Sequence, residues 1–202
     1  MKKLSVLIPA YNPGKWLRGI LDVLVPQTEK YPDTEILIVD DGSTEDLSWC
    51  ACCKNTRIIR IANNGEPHAR NLLLEEAQGE YIQFLDADDE IYDNALDVIY
   101  SNIKQGYDWV SYEYNTDHDR KRAYHNYGQV MVNCAMWGYT FRAELFDGFR
   151  FVETMYTGCD VELLQRMLRE DQLHKHDSRC FYNYRWNGNE QSLCHRHLRG
   201  EI

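Results

Sequence analysis

Gly79-Glu80-Tyr81-Ile82-Gln83-Phe84-Leu85-Asp86-Ala87-Asp88-Asp89 is the stretch on which the fold turns. Tyr81 to Leu85 is a short, largely apolar run, too brief for a helix and bounded by a glycine on one side and acids on the other. A buried strand reads this way. The acids then fall at the strand's carboxyl end, where open α/β sheets bind their ligands. In extended backbone residues i and i+2 point the same way, so Asp86 and Asp88 are expected to face one ligand.

The same grammar precedes it three times. Leu4 to Ile8 stops at Pro9 and runs into Ala10-Tyr11-Asn12. Glu35 to Val39 runs into Asp40-Asp41-Gly42-Ser43, and Arg57 to Ile61 into Asn63-Asn64-Gly65. Helical spacing fills the intervals. Trp16, Leu17, Ile20, Leu21 and Leu24 recur over Lys15 to Val25, after the break at Asn12-Pro13-Gly14. Pro67 suits the first turn of a helix carrying Ala69, Leu72, Leu73 and Ala77, and Asp93 to Ile103 reads as another. The alternation predicts an α/β fold, with a Rossmann-like, mostly parallel central sheet flanked by helices.

Beyond Gly106 the pattern loosens. Asp108 to Tyr112 reads as a strand, Asn115 to Val130 is polar and Tyr-rich, and Val161, Leu164, Met167 and Leu168 share a face over Asp160 to Arg169. One domain over 1–202 is expected, with a βα half to about residue 105 and a smaller lobe from about 106.

Composition excludes several classes. The chain has 202 residues, 44% apolar and 27% charged, which is globular rather than disordered or fibrous. Lys plus Arg number 22 against 32 for Asp plus Glu, a net charge of −10 that repels nucleic-acid phosphate. The longest basic cluster, Arg120-Lys121-Arg122, is flanked by Asp117 and Asp119, so no nucleic-acid partner is expected. No apolar run approaches the roughly 18–20 residues of a membrane span, and Leu4 to Ile8 is too short for a signal-peptide core. A cytoplasmic protein with at most peripheral contact at the inner face of a membrane is the expectation. The seven cysteines then read as reduced thiols. Cys50-Ala51-Cys52-Cys53 has no second pair at zinc spacing and is read as packing in a helix after the second strand. His174-Lys175-His176 and His195-Arg196-His197 are read as solvated.

The chemistry gathers at the strand ends. Asp40, Asp41, Asp86, Asp88 and Asp89 at neighbouring ends would repel one another in a dry site. A divalent cation or a hydrogen-bonding ligand removes that penalty, and oxygen-only ligands favour Mg²⁺ or Mn²⁺ over zinc.

Four ordered stretches, Ser5 to Asn12, Ile38 to Thr44, Asn64 to Asn71 and Gly79 to Asp89, resemble the family-2 inverting, nucleotide-sugar-dependent glycosyltransferases of GT-A fold. A looser match continues through Trp137-Gly138, Phe151, Cys159 to Leu164, Tyr182 to Trp186 and Ser192. The resemblance implies a metal-dependent transfer of a sugar, from a UDP-sugar by preference, to a carbohydrate or lipid-linked acceptor in polysaccharide or glycoconjugate synthesis. It makes the first half the nucleotide-sugar-binding half and the second the acceptor and catalytic-base half. Ala10, Tyr11, Asn12, Asn64, Gly65 and Ala87 would line the nucleotide sugar, with Tyr11 against the base. Asp41 would accept the uracil imide hydrogen, Asp86 would face the ribose, and Asp88 would hold Mn²⁺ or Mg²⁺. Arg70 would lie near the phosphates, and Asp160, at the start of its helix, would be the catalytic base. Where the family commonly carries Glu-Asp, this chain has Cys159-Asp160. Asp40 is read as a turn former, Asp89 as a helix-leading acid, and Glu162 as the second choice of base.

Two other classes use similar residues. A sugar nucleotidyltransferase wants a Gly-rich, basic loop after strand one, where this chain has Pro9 to Gly14 with Lys15 alone nearby. A non-catalytic nucleotide-sugar-binding module has no need of Asp86, Asp88 and Asp160 together.

Overall fold

Each apolar run becomes a strand, extended at its ends by residues whose backbone joins the ladder. The computed structural model describes residues 2–116, 124–127, 130–133, 135–155, 157–185 and 200. In chain order its strands and helices are β1 Lys2–Ala10, α1 Lys15–Gln27, β2 Thr34–Asp41, β3 Thr56–Ile61, α2 Glu66–Glu76, β4 Gly79–Phe84, β5 Glu90–Ile91 and α3 Ala95–Ile103. They continue with β6 Trp109–Thr116, β7 Tyr124–Tyr127, β8 Val130–Asn133, β9 Tyr139–Arg142, α4 Cys159–Met167 and β10 His174–Tyr184. The basic cluster at Arg120, the pair at His195 and His197, Trp186 and Ser192 lie outside the described residues.

Eight strands form one sheet in the order β3-β2-β1-β4-β9-β6-β10-β5. The first four are mutually parallel, as the alternation predicts. β9 then runs antiparallel between β4 and β6, so the sheet is mixed in its second half. This has a consequence for the site. The register pairs Gln83 with Thr140, so the turn of Met136–Gly138 leading into β9 sits beside the carboxyl end of β4.

Alternation along the central strands feeds two cores. Leu4, Val6, Ile8, Ile36 and Ile38 pack with α1 and α3, while Leu7, Leu37 and Val39 pack with α2 and α4 on the other face. Strands covered on both faces read as near-continuous apolar runs, as β1, β2 and β4 do, whereas the edge strand β3 is only partly buried. Gly79 marks a close approach of β4 to β1, where a Cβ would stand 2.4 Å from the Ser5 nitrogen. The segment after β2 is a 3₁₀ turn, Ser48–Cys52, rather than the expected helix. Among the described residues no helix is long and apolar enough to cross a membrane.

Candidate active site

Three parallel strands deliver their carboxyl ends to one edge of the sheet. β1 ends at the buried Ala10, β2 at Asp41 and β4 at Phe84, with Ala10 level with Asp40. Tyr11 follows β1 and is 51% exposed, an aromatic face open at the ligand edge. Asn12 takes a left-handed φ of 48° and ties the first two loops together. Its N–H donates to Ser43 Oγ at 2.9 Å, and its Oδ1 accepts the Thr44 N–H at 2.8 Å.

Asp40 is a turn former, as expected. It accepts the Ser43 N–H at 2.8 Å and the Arg60 guanidinium at 2.6 Å. Asp41 does something the sequence did not suggest. Its two oxygens accept the N–H groups of Asn64 at 2.8 Å and Gly65 at 2.9 Å, so this buried carboxylate moors the loop between β3 and α2. Burial raises its pKa, and the two N–H groups act against that rise.

Arg70 is the hub. It lies one turn into α2, almost fully buried, between the rings of Phe151 and Phe84 at 5.4 and 5.9 Å. Its Nη1 donates to Asp160 Oδ1 and its Nη2 to Asp86 Oδ1 at 2.9 Å, while Glu66 Oε1 makes an ion pair with Nη2 at 2.5 Å. Rather than facing open solvent where a phosphate would bind, the guanidinium binds three carboxylates. The other oxygen of Asp160 accepts the Met136 N–H at 2.9 Å. Asp160 is not a helix cap: Gly158, at φ 74°, holds that position, and Asp160 stands in the first turn of α4 with its carboxylate turned to α2. Cys159 beside it is buried, and desolvation together with the Asp160 charge pushes its thiol up to about 12.

The acidic loop after β4 is a turn, with the Asp89 N–H returning to the Asp86 carbonyl at 3.4 Å. The extended geometry expected for Asp86 and Asp88 is therefore replaced by a bend, which still leaves the two carboxylates in each other's field. Burial raises the pKa of Asp86 to about 8 against the pull of Arg70, with Glu66 and Asp88 adding to the rise. Glu66 is raised for the same reason, and Asp88 is half-buried among these charges. Ala87 is buried and brings no polar side chain. Asp89 does not lead a helix, since α3 starts at Ala95. It is buried, accepting the Tyr182 hydroxyl and the Arg185 N–H at 2.8 Å, and its pKa is raised by burial beside Asp86 and Asp88. Tyr182 Oη also accepts the Asp86 N–H at 3.3 Å, so β10 buttresses the acidic turn from beneath.

The remaining candidates are structural. Cys50 is buried, and desolvation pushes its thiol up to about 12. His174 stacks on Trp109 at 4.3 Å, and His176 Nδ1 bonds Ser111 at 3.0 Å. Glu162 is engaged by Arg166 one turn on. Tyr114 packs edge-on against Trp137 at 4.7 Å, which is packing over the small lobe. Among the described residues no group of three or more His, Cys, Asp or Glu side chains is arranged to enclose a metal. An oxygen-ligated cation that takes one or two carboxylates and completes its shell with phosphates and water needs no such enclosure.

Glu66, Met136 and Tyr182 are the site residues that the sequence did not single out. Glu66 was findable, because it stands four residues before Arg70 on one helix face. Met136 acts through its backbone, which no side-chain pattern reveals.

A sheet of this order, with acidic loops gathered at its carboxyl edge and a helix-borne aspartate facing them, is the GT-A glycosyltransferase fold. The chain belongs to glycosyl transferase family 2, whose model matches residues 5–170. An uncharacterized glycosyltransferase of Rickettsia conorii is 45% identical over 101 residues, covering 48% of this chain and 16% of that protein. The match thus spans about a sixth of the length of that protein, and of an uncharacterized glycosyltransferase of Rickettsia felis. Residues 1–349 of S. aureus TarS, solved in complex with UDP-GlcNAc, superpose with a TM-score of 0.76 at 20% identity, covering 93% of this chain and 60% of that one. A Pyrobaculum calidifontis mannosyltransferase in complex with GDP-Man and Mn²⁺ gives a TM-score of 0.68 at 16% identity, covering 90% and 56%.

Proposed function

We propose that this chain transfers a sugar from a nucleotide-sugar donor, a UDP-sugar by preference, to an acceptor hydroxyl with inversion at the anomeric carbon. The observation that carries the reading is the meeting of Asp86 and Asp160 on the single Arg70 guanidinium. A carboxylate after β4 and a helix-borne carboxylate are thereby held a guanidinium's width apart.

In this reading the open ring of Tyr11 receives the base, and the loop moored by Asp41 presents Asn64 and Gly65 to the nucleotide. Lone pairs left on Asp41 take the uracil imide hydrogen. Asp86 meets the ribose, and Asp88 holds Mn²⁺ or Mg²⁺. Such a cation, when bound, offsets charge developing on the departing nucleoside diphosphate. The Mn²⁺ in the mannosyltransferase complex and the UDP-GlcNAc in the TarS complex support these assignments by analogy of fold.

Asp160 takes the proton of the acceptor hydroxyl. Arg70 donates to one of its oxygens and the Met136 N–H to the other, which fixes where the carboxylate points. The hydroxyl oxygen attacks the anomeric carbon opposite the leaving diphosphate, so one displacement inverts the centre without a protein nucleophile. We assign the donor to residues up to about 105 and the acceptor to the remainder, with a carbohydrate or lipid-linked acceptor of polysaccharide or glycoconjugate synthesis met peripherally at a membrane's inner face.

A thermal-shift screen of nucleotide sugars with and without Mn²⁺ tests the reading, because a ligand that binds the folded state raises its melting point by mass action. UDP-sugars should give the largest rise, in Mn²⁺, and the best of them should release UDP and yield a product of inverted configuration by proton NMR. Melting points indifferent to every nucleotide sugar would overturn the proposal.

A further inference from the structure

We propose that Glu66 is a positioning residue for proton transfer at Asp160, acting through Arg70; this rests on the reading of Asp160 given above. Glu66 opens α2, one turn before Arg70, and its Oε1 forms an ion pair with Nη2 at 2.5 Å. A guanidinium is planar and its donors are fixed in a fork, so holding Nη2 from one side determines where Nη1 points. Nη1 points at Asp160.

Among the described residues no other group sets that plane independently. Arg70 Nε is buried and has no hydrogen-bond partner among the described residues, so the guanidinium is oriented at its Nη end only. The rings of Phe84 and Phe151 flank it without a directional hold. Its other partners, Asp86 and Asp160, are the groups proposed to meet donor and acceptor, and those ligands compete with Arg70 for them. Glu66 sits on the same helix as Arg70, so the distance between them survives whatever the facing loops do.

Charge counting supports the same conclusion. One carboxylate neutralises one guanidinium, and two already do so from across the site. A third, part-buried carboxylate is not required for compensation and adds repulsion toward Asp86, Asp88 and Asp160. Its use is orientation. Asp160 is then gripped by two donors, the Met136 N–H and Arg70 Nη1, of which the backbone N–H is rigid and the side chain is set by Glu66.

The test compares Glu66→Gln, which keeps an acceptor oxygen and loses the charge, with Glu66→Ala, which loses both. In Glu66→Ala kcat should fall about 10- to 100-fold, the scale on which misplacing a reacting group by about 1 Å acts. Glu66→Gln should fall less, and donor KM and Kd should stay within about twofold in both. Nitrogen-15 NMR of the Arg70 guanidinium in the same samples should show its distinct Nη environments lost in Glu66→Ala and kept in Glu66→Gln. A lowered melting point with an unchanged kcat would make the pair merely structural and overturn the proposal, as would a donor KM that rises in step with the loss of kcat. Failure of the wild-type protein to transfer sugar overturns the glycosyltransferase reading instead, and the Arg70 signals then still decide whether Glu66 sets the guanidinium.

Discussion

Truncating Asp41 to alanine separates two jobs that meet in one carboxylate. Its oxygens accept the Asn64 and Gly65 N–H groups at 2.8 and 2.9 Å in a buried position. Hydrogen bonds to a charged group contribute about 1.5–3 kcal/mol each. Asn64 is exposed and Gly65 half-buried, so water replaces part of what is lost. The net cost of Asp41→Ala should then be about 2–4 kcal/mol. For a chain of this size that is a melting-point drop of about 6–12 °C. Asp41→Asn keeps one acceptor oxygen and should lose about half as much. Calorimetric titration then asks about the base. A displaced loop weakens UDP and CDP alike, whereas loss of an imide acceptor weakens UDP alone, because cytosine has no imide hydrogen to donate. UDP should lose an additional 1–3 kcal/mol or so relative to CDP. A melting point within about 1 °C of wild type would refute the mooring role. Equal losses for the two nucleotides would refute the base-reading role while leaving the mooring intact.

Asp88→Asn should weaken UDP binding strongly in Mn²⁺ and little in EDTA; equal affinities for both proteins in both buffers would remove Asp88 from the metal site. Asp160→Asn should lower transfer by about 10²- to 10⁴-fold with donor affinity little changed, since the amide cannot accept the proton. Retention of more than about a tenth of wild-type turnover would move the base elsewhere. The last prediction concerns acid stability. Burial pushes the Asp177 carboxyl up, but hydrogen bonds from Arg179 and Asn102 outweigh it and hold the group well below the usual carboxylate range. A depressed folded pKa stabilises the protein fully above the unfolded value of about 3.9, and that stabilisation is lost progressively as pH falls from there through the folded value. Asp177→Asn should therefore melt lower than wild type at pH 7, with the gap closing toward pH 2; a gap independent of pH would contradict the assignment.

The sequence by itself determined the parallel half of the sheet and the edge at which its chemistry lies. Strands β1 to β4 are short apolar runs with turn formers at their ends, and the period of the intervening helices is visible within a dozen residues. Those are local properties, set by backbone sterics and by which faces must be buried. Asp40 was legible for the same reason, because its bond to the Ser43 N–H spans three residues. The second half was less legible because its arrangement is non-local: β9 inserts antiparallel between β4 and β6, and only that insertion brings the Met136 N–H to Asp160. Asp89 looked like the start of a helix until Tyr182, 93 residues later, was found bonded to it. Asp160 was legible as an acid at a helix start, but its partnership with Arg70, 90 residues earlier, was not. Residue type and spacing specify which charges a chain carries and which segments bury them. Which carboxylate shares a guanidinium with which is decided when the strands close, because a buried charge takes whatever partner the packing brings within hydrogen-bond reach.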